Sequence, residues 1–205
     1  MHLAVSGRLI LASASPRRSE LLKLMGLAVE VLPSCIDETP LPGETPREHV
    51  LRLAELKALA VAAQQPDAWV LGADTIVTID GQILGKPGSV AEAKEMLDKL
   101  SGREHEVFTG FCIVCRDKGI VLRDAVGSAV LFREITDDEL EWYAGSPEPY
   151  DKAGGYAVQG IGGFFVREIR GSHSNVVGLP LCEVIDALKR VRAIRFPGGG
   201  HDHCR

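Results

Sequence analysis

Two adjacent arginines follow a short apolar run near the start of the chain. Within residues 9–22 the run ends at Ser13 and Ser15, and a proline, Arg17 and Arg18 precede an amphipathic pattern. This order predicts a buried strand that turns into a helix capped by Ser15, with proline in its first position. Cations at a helix start oppose the helix dipole, so capping alone does not explain them. Because the turn collects N–H groups, hydroxyls and guanidinium charge, it suits a polyphosphate; two solvated arginines are the alternative.

An aspartate interrupts the strongest strand pattern of the sequence. Asp74 stands inside the apolar run Trp69–Ile79, directly after Gly72 and Ala73. Aspartate is unfavourable in strands and is rarely buried unless it is paired or binds a metal ion. The two small residues would let a ligand approach this carboxylate closely. We therefore predict a functional carboxylate here, with an edge strand or a bulge as the structural alternative.

Three further charged residues, taken one at a time, are weaker indications of a functional site. Glu38 lies in an acidic, proline-rich loop, Lys57 interrupts a helix rich in leucine and alanine, and Lys86 stands in a rigid Gly-Lys-Pro turn. Each alone is explained by a solvated side chain or by a lysine stem on an apolar face. The glycine-rich segment 151–163 permits close backbone approach to a ligand, and its Gln159 would read a base through a donor and an acceptor. A flexible loop is the alternative for this segment.

The elements that must position these residues alternate between strand and helix, which favours an α/β or mixed α+β fold. After the strand before Ser13, strands are predicted at 29–32, 69–79, 82–84, 106–115, 120–133 and 164–169. Helices are predicted from capping patterns at Thr45, Ser89 and Thr136, ending near residues 64, 102 and 145, and at 181–193. A tight turn joins the two long strands, so we expect them to be antiparallel. The predicted sheet is mixed, in a domain of two lobes over residues 1–194 with a disordered tail at 195–205.

Composition narrows the class of protein. The chain has 205 residues, 45% of them apolar, and a formal net charge of −5, which argues against a general nucleic-acid binder. No apolar run approaches the roughly 18 residues of a membrane helix, and none resembles a signal peptide, so we expect a cytoplasmic protein. Five scattered cysteines indicate reduced thiols. Cys112 and Cys115 have the spacing of a metal or redox pair, but in a strand they would face opposite sides.

Taken together, these motifs resemble the Maf family of nucleoside triphosphate pyrophosphatases. The resemblance runs from about residue 9 to residue 188 and rests on a set of separate motifs. The matching pieces are Ser13-Ala14-Ser15-Pro16-Arg17-Arg18, Glu38, the segment 50–57, Gly72-Ala73-Asp74-Thr75, Gly85-Lys86-Pro87, the segment 151–160 and Val176-Val177-Gly178-Leu179-Pro180. The joint pattern is far more specific than any one of them.

The resemblance implies a fold, a reaction and a set of roles. The fold would be the elongated mixed α/β architecture of inosine triphosphate pyrophosphatases, with the site between two lobes. The reaction would convert a nucleoside triphosphate to the monophosphate and pyrophosphate with a divalent cation, Mg²⁺ or Mn²⁺. Ser13, Arg18, Lys57 and Lys86 would hold phosphates, and Glu38 would bind the metal. Asp74 would accept a proton from water or bind the metal; the residues leave both roles open.

Substrate choice is implied by the same resemblance. Arg17, Thr75 and Gln159 stand at positions associated with the branch of the family that acts on dTTP and UTP, where it would remove surplus or non-standard nucleotides. Two alternatives stay open: a sensor that regulates cell division by binding nucleotide without turnover, and a 7-methyl-GTP pyrophosphatase. We expect a small-molecule nucleotide as partner, and neither a nucleic acid polymer nor a membrane. The family implies a homodimer, although the sequence shows no self-association pattern.

Overall fold

The computed structural model describes residues 3–197. Its strands are β1 (Ala4–Val5), β2 (Leu9–Leu11), β3 (Glu30–Val31), β4 (Trp69–Ile79), β5 (Gln82–Leu84), β6 (Glu104–Cys115), β7 (Ile120–Phe132), β8 (Val166–Arg170) and β9 (Ile194–Arg195). Its α-helices are α1 (Pro16–Leu24), α2 (Pro46–Ala62), α3 (Val90–Leu100), α4 (Asp137–Ala144), α5 (His173–Val177) and α6 (Leu181–Arg190). Short 3-10 turns occupy Pro149–Asp151, Ala153–Gly155 and Ile161–Phe165.

A mixed seven-stranded sheet organises the molecule. Its strand order is β3-β2-β4-β6-β7-β8, and β5 pairs with the far end of β4. Strand β2 is parallel to β3 and β4, whereas the remaining pairs are antiparallel. Strands β1 and β9 form a separate antiparallel ribbon. The predicted mixed α/β fold and the long antiparallel pair β6–β7 are therefore confirmed.

Strand β4 has an open stretch along one edge. Residues 69–71 pair with β2 and residues 77–79 pair with β5, while the other edge pairs continuously with β6 from residue 70 to 78. Asp74 and Thr75 lie in this open stretch. Since their pairing with β6 is regular, a bulge does not account for the aspartate. The gap between β2 and β5 leaves room for side chains from the β2–α1 turn.

Helix α2 packs directly on the sheet because two glycines lie beneath it. A Cβ atom on Gly72 would lie 2.3 Å from the Ala54 carbonyl oxygen, and one on Gly110 would lie 2.3 Å from the Val50 carbonyl oxygen. The expectation that Gly72 admits a ligand is wrong, because the backbone of α2 fills that space. This close packing brings Lys57, on the buried face of α2, against β4.

The two faces of the sheet carry separate apolar clusters. Cys115 belongs to the cluster that packs under α1 and α6, whereas Cys112 belongs to the cluster under α2. The prediction that these two cysteines face opposite sides is confirmed, so they do not form a shared site. Burial raises the pKa of the Cys112 thiol to about 12, which keeps it neutral. A third cluster joins α3 and α4 to the far halves of β4 and β7.

Several local predictions need correction. Ser15 stands at the cap position of α1, but its side chain forms no capping bond; its backbone N–H donates to Ser13 Oγ at 3.3 Å instead. The strand predicted from residue 164 begins at Val166, because Phe164 lies in a 3-10 turn. The last helix ends at Arg190 rather than at residue 193, and α5 and the β1–β9 ribbon were not predicted.

The end of the domain also differs from the prediction. Arg195 was assigned to the tail, but it pairs with Ala4 in the ribbon. The rest of the predicted tail, from residue 198 onward, lies outside the described residues. Within residues 3–197, every helix is too short or too polar to cross a membrane.

Candidate active site

A cleft of about 630 Å³ opens over the gap in β4. The β2–α1 turn, α2, the loop after β5 and the glycine-rich segment form its walls. All of the predicted site residues line it: Ser13, Arg17, Arg18, Glu38, Lys57, Asp74, Thr75, Lys86 and Gln159. The fold thus brings residues separated by up to about 145 positions to one place, although their individual roles stay predictions.

One wall holds a lysine between two carboxylates. Lys57 Nζ donates to Asp74 Oδ1 at 2.7 Å and lies 2.6 Å from Glu38 Oε1. Lys57 and Asp74 are each 7% exposed, whereas the Glu38 side chain is about half exposed. Partial burial favours the neutral form of Glu38, but the hydrogen bond and charge of Lys57 outweigh it and lower the pKa of Glu38. The wall therefore presents two carboxylates aligned by one ammonium group.

Arg18 also lines the cleft, and its guanidinium bonds to neutral oxygens. Its Nε donates to the Gly178 carbonyl at 2.8 Å, and its Nη1 donates to Ser13 Oγ at 2.8 Å and to the Ala73 carbonyl at 2.9 Å. Its Nη2 donates to Thr75 Oγ1 at 2.8 Å. Burial lowers the pKa of Arg18, and the nearby Asp74 carboxylate opposes this shift. Since arginine stays protonated in proteins, a buried positive charge faces the cleft.

The mouth of the cleft carries more exposed groups. Arg17 Nη1 lies 3.3 Å from Asp151 Oδ2, and Lys152 also pairs with Asp151. Partial burial favours the neutral form of Asp151, but the hydrogen bond and charge of Lys152, followed by Arg17, lower its pKa. Lys86 and Gln159 are exposed and line the cleft. These side chains are placed to meet a ligand that enters from solvent.

Helix α2 contributes two further residues to the cleft wall, which are among the lining residues that were not predicted. His49 and Leu53 lie two turns and one turn before Lys57 on α2, and both line the cleft. Glu44 Oε2 lies 2.9 Å from His49 Nδ1 and fixes that ring. Hydrogen bonds from Arg52 and then His49 lower the pKa of Glu44 to about 2. Counting back from Lys57 in steps of four would have found both residues, because such positions share a helix face.

Two carboxylates of the cleft, Asp74 and Glu38, are oxygen ligands of the kind that a hard divalent cation prefers. Asp74 and Glu38 converge on one point, the position of Lys57 Nζ. Within residues 3–197 no cluster of three or more ligating side chains is found. Mg²⁺ is commonly bound by one or two carboxylates together with substrate phosphates, so two are sufficient for that mode.

The sequence of this chain is similar to that of known proteins along most of its length. The family model described as "Maf-like protein" matches residues 8–191. A "dTTP/UTP pyrophosphatase" of Syntrophus aciditrophicus (strain SB) is 60% identical over 195 residues, covering 95% of both chains. Another of that name from Geotalea uraniireducens (strain Rf4) is 50% identical over 192 residues, covering 94% of this chain and 99% of its own. A solved HAM1 protein from Coxiella burnetii has a TM-score of 0.43 at 21% identity, covering 61% of this chain and 72% of that chain.

Proposed function

Because the chain belongs to the Maf family, we propose that it hydrolyses dTTP and UTP to the nucleoside monophosphate and pyrophosphate. The observation that carries this proposal is the buried Lys57–Asp74 pair in a cleft that Arg18 also lines. A protein that only binds a polyphosphate gains little from carboxylates beside the phosphates, whereas an enzyme that activates water uses one as proton acceptor. Relatives named dTTP/UTP pyrophosphatase are 60% and 50% identical to this chain.

Asp74 is the proton acceptor in this proposal. Lys57 binds one carboxylate oxygen, so the other is left for a water molecule. The water oxygen bonds to the α-phosphorus, the bond to the oxygen bridging the α- and β-phosphorus breaks, and Asp74 takes the proton. The hydrogen bond from Lys57 orients the Asp74 carboxylate towards that water.

Positive groups support the departure of pyrophosphate. Arg18 and Lys86, with Ser13 as a neutral donor, would neutralise charge that grows on the leaving oxygens. Arg17, Thr75 and Gln159 would set the preference for dTTP and UTP at the mouth of the cleft. When bound at Glu38 and Asp74, Mg²⁺ or Mn²⁺ would polarise the phosphate and shield its charge.

A substrate panel tests this function. Purified full chain with Mg²⁺ or Mn²⁺ is given dTTP, UTP, CTP and 7-methyl-GTP at one concentration, and products are followed by phosphorus NMR. We expect pyrophosphate from dTTP and UTP, and a loss of about 100-fold or more in Asp74→Asn, the usual size for a lost general base. Asp80→Asn, at the exposed turn after β4, is the matched control and should leave turnover unchanged.

The other outcomes point to the alternatives. Intact dTTP bound without pyrophosphate release would identify a nucleotide sensor. Faster turnover of 7-methyl-GTP would keep the chemistry and change the substrate. Near-normal turnover by Asp74→Asn would remove the proposed mechanism.

We also propose a cellular compartment, an oligomeric state and a domain organisation. We place the protein in the cytoplasm, on its cysteine pattern and the expectation from composition. A homodimer follows only from the family resemblance. A single domain with two lobes around the cleft is consistent with the separate apolar clusters near α6 and near α3 and α4.

A further inference from the structure

The open edge of β4 is closed by a side chain instead of a strand. Strand β2 stops opposite Leu71, whose carbonyl accepts from Ala12 N at 2.8 Å. Carbonyls two residues apart along a strand point to the same edge, so the Ala73 carbonyl faces the gap that β2 leaves. Arg18 Nη1 donates to it at 2.9 Å. Arg18 thus replaces a ladder hydrogen bond, and its position depends on what else holds the guanidinium.

A chain of hydroxyl groups holds the other end of Arg18. Arg18 Nη2 donates to Thr75 Oγ1 at 2.8 Å, and Thr75 Oγ1 lies 2.9 Å from Thr109 Oγ1. Thr75 and Thr109 are paired directly across β4 and β6, so both side chains leave the same face of the sheet. Thr109 Oγ1 also lies 3.1 Å from the Asn175 carbonyl oxygen. The chain runs from the cleft wall to helix α5 through fully buried Thr109.

A hydroxyl has one proton to donate, so two arrangements satisfy these contacts. In one, Thr75 donates to Thr109 and Thr109 donates to the Asn175 carbonyl at 3.1 Å. In the other, Thr109 donates to Thr75 and Thr75 donates to the Gly178 carbonyl at 3.3 Å. In both arrangements the Thr109 hydroxyl holds Thr75 Oγ1, which accepts from Arg18 Nη2. Without the Thr109 hydroxyl, Thr75 Oγ1 loses the partner that fixes its position beside Arg18.

We propose that Thr109 is a positioning residue, which orients Thr75 and through it the guanidinium of Arg18. Four of the five N–H groups of Arg18 have protein partners, and the fifth, on Nη2, is left for the cleft. Thr109 sets the direction of that last donor towards a substrate phosphate. The inference rests on the proposed function for its substrate, but its effect is on anion binding and is measurable without hydrolysis.

The test compares Thr109→Val, which keeps the shape and removes the hydroxyl, with Thr109→Ser, which keeps the hydroxyl. Thr78→Val is the matched control, since Thr78 is also buried, lies on β4 and has no part in this chain of hydroxyls. Affinity for inorganic tripolyphosphate is measured by titration calorimetry, and KM and kcat are measured for dTTP. We expect Thr109→Val to weaken tripolyphosphate binding and raise KM by about 5- to 10-fold, the size of a lost hydrogen bond. Thr109→Ser should restore both values.

A double variant separates positioning from general damage. In an Arg18→Lys background, Thr109→Val should cause almost no further loss, because its effect passes through the guanidinium. The inference is overturned if Thr109→Val binds like the unaltered protein, if Thr78→Val shows the same loss, or if the loss persists in full beside Arg18→Lys. If Thr109→Val does not fold, Thr109→Cys replaces it with the same expectations. A chain that binds tripolyphosphate in this Thr109-dependent way but leaves dTTP intact would refute the proposed function and retain the inference.

Discussion

Two buried cations line the cleft, Lys57 and Arg18, and their surroundings differ. Lys57 lies between two carboxylates at 2.6 and 2.7 Å, whereas the hydrogen bonds of Arg18 go to carbonyls and hydroxyls. Lys57 therefore forms direct ion pairs, whereas within residues 3–197 Arg18 forms none and meets the charge of Asp74 only at longer range. The difference teaches that Lys57 is placed to hold carboxylates, and that the guanidinium of Arg18 is placed to accept a further anion from the cleft.

A third buried basic side chain, His105, behaves differently from Lys57 and Arg18. His105 is 2% exposed, and its Nε2 lies 2.7 Å from the Tyr156 hydroxyl. Burial lowers the pKa of His105 to about 4, so the ring is neutral near pH 7. The delocalised and strongly basic guanidinium keeps Arg18 charged although it is buried, whereas the buried ring of His105 gives up its proton.

The largest effect is expected when Lys57 is removed. Lys57→Met leaves the Asp74 carboxylate buried without its partner, which costs about 3–5 kcal/mol of unfolding free energy. Adding Asp74→Asn should recover part of that loss, because no uncompensated charge is then left. Urea unfolding of the single and double variants measures the coupling. Strictly additive losses would mean that the two residues do not form one electrostatic unit.

The second effect is a loss of stability at mildly acid pH. The unfolded chain protonates His105 near its usual pKa of about 6.5, and the folded protein does so only near 4, so lowering the pH favours unfolding. Stability that is complete above pH 6.5 should fall by about 2 kcal/mol between pH 7 and pH 5. Glu44, with a pKa of about 2, contributes only below about pH 4.5 and stays outside this window.

Substitution of His105 isolates its contribution. His105→Gln should flatten the pH dependence of the unfolding free energy between pH 7 and pH 5. His173→Gln, which removes an exposed histidine at the start of α5, is the control and should leave the slope intact. An equal change of slope in both variants would show that burial of His105 is not the cause.

The third effect concerns recognition of phosphate. Arg18→Lys keeps the charge but loses the planar fork, and we expect tripolyphosphate to bind about 10- to 100-fold more weakly, the size of a lost charge-assisted hydrogen bond. Calorimetric titration measures the affinity, and Arg103→Lys at an exposed pair with Asp80 is the control. Unchanged affinity in Arg18→Lys would show that this wall does not attract the anion.

The smallest effect is expected at the mouth of the cleft. The Asp151 side chain is 62% exposed, and its pair with Arg17 is screened by solvent. Asp151→Asn should change the unfolding free energy by less than about 1 kcal/mol. Thermal unfolding checks this value. A loss comparable to that of Lys57→Met would remove the distinction between exposed and buried pairs in this molecule.

Much of the local structure was predictable because its causes are local. The capping box at Thr45 identifies the start of α2, and the apolar run of residues 69–79 identifies β4, without information from the rest of the chain. The elements that were not predicted either form by pairing with distant residues or are too short to show a pattern. The two residues of β1 and the two of β9 become strands by pairing with each other, although they are almost 190 positions apart. Helix α5 is five residues long, too short for a periodic pattern to be recognised.

The sequence by itself predicted the candidate site residues, all of which line one cleft, and most of the elements that carry them, because motif, capping and strand patterns are short-range properties. Only the tertiary structure decided what those residues do to one another. Gly72 serves the packing of α2, and Arg18 is held by the Gly178 carbonyl, 160 positions away. The ion pairs of Lys57 and the neutral hydrogen-bond partners of Arg18 arise from which oxygens packing brings within hydrogen-bond distance. Local sequence periodicity does not specify those contacts.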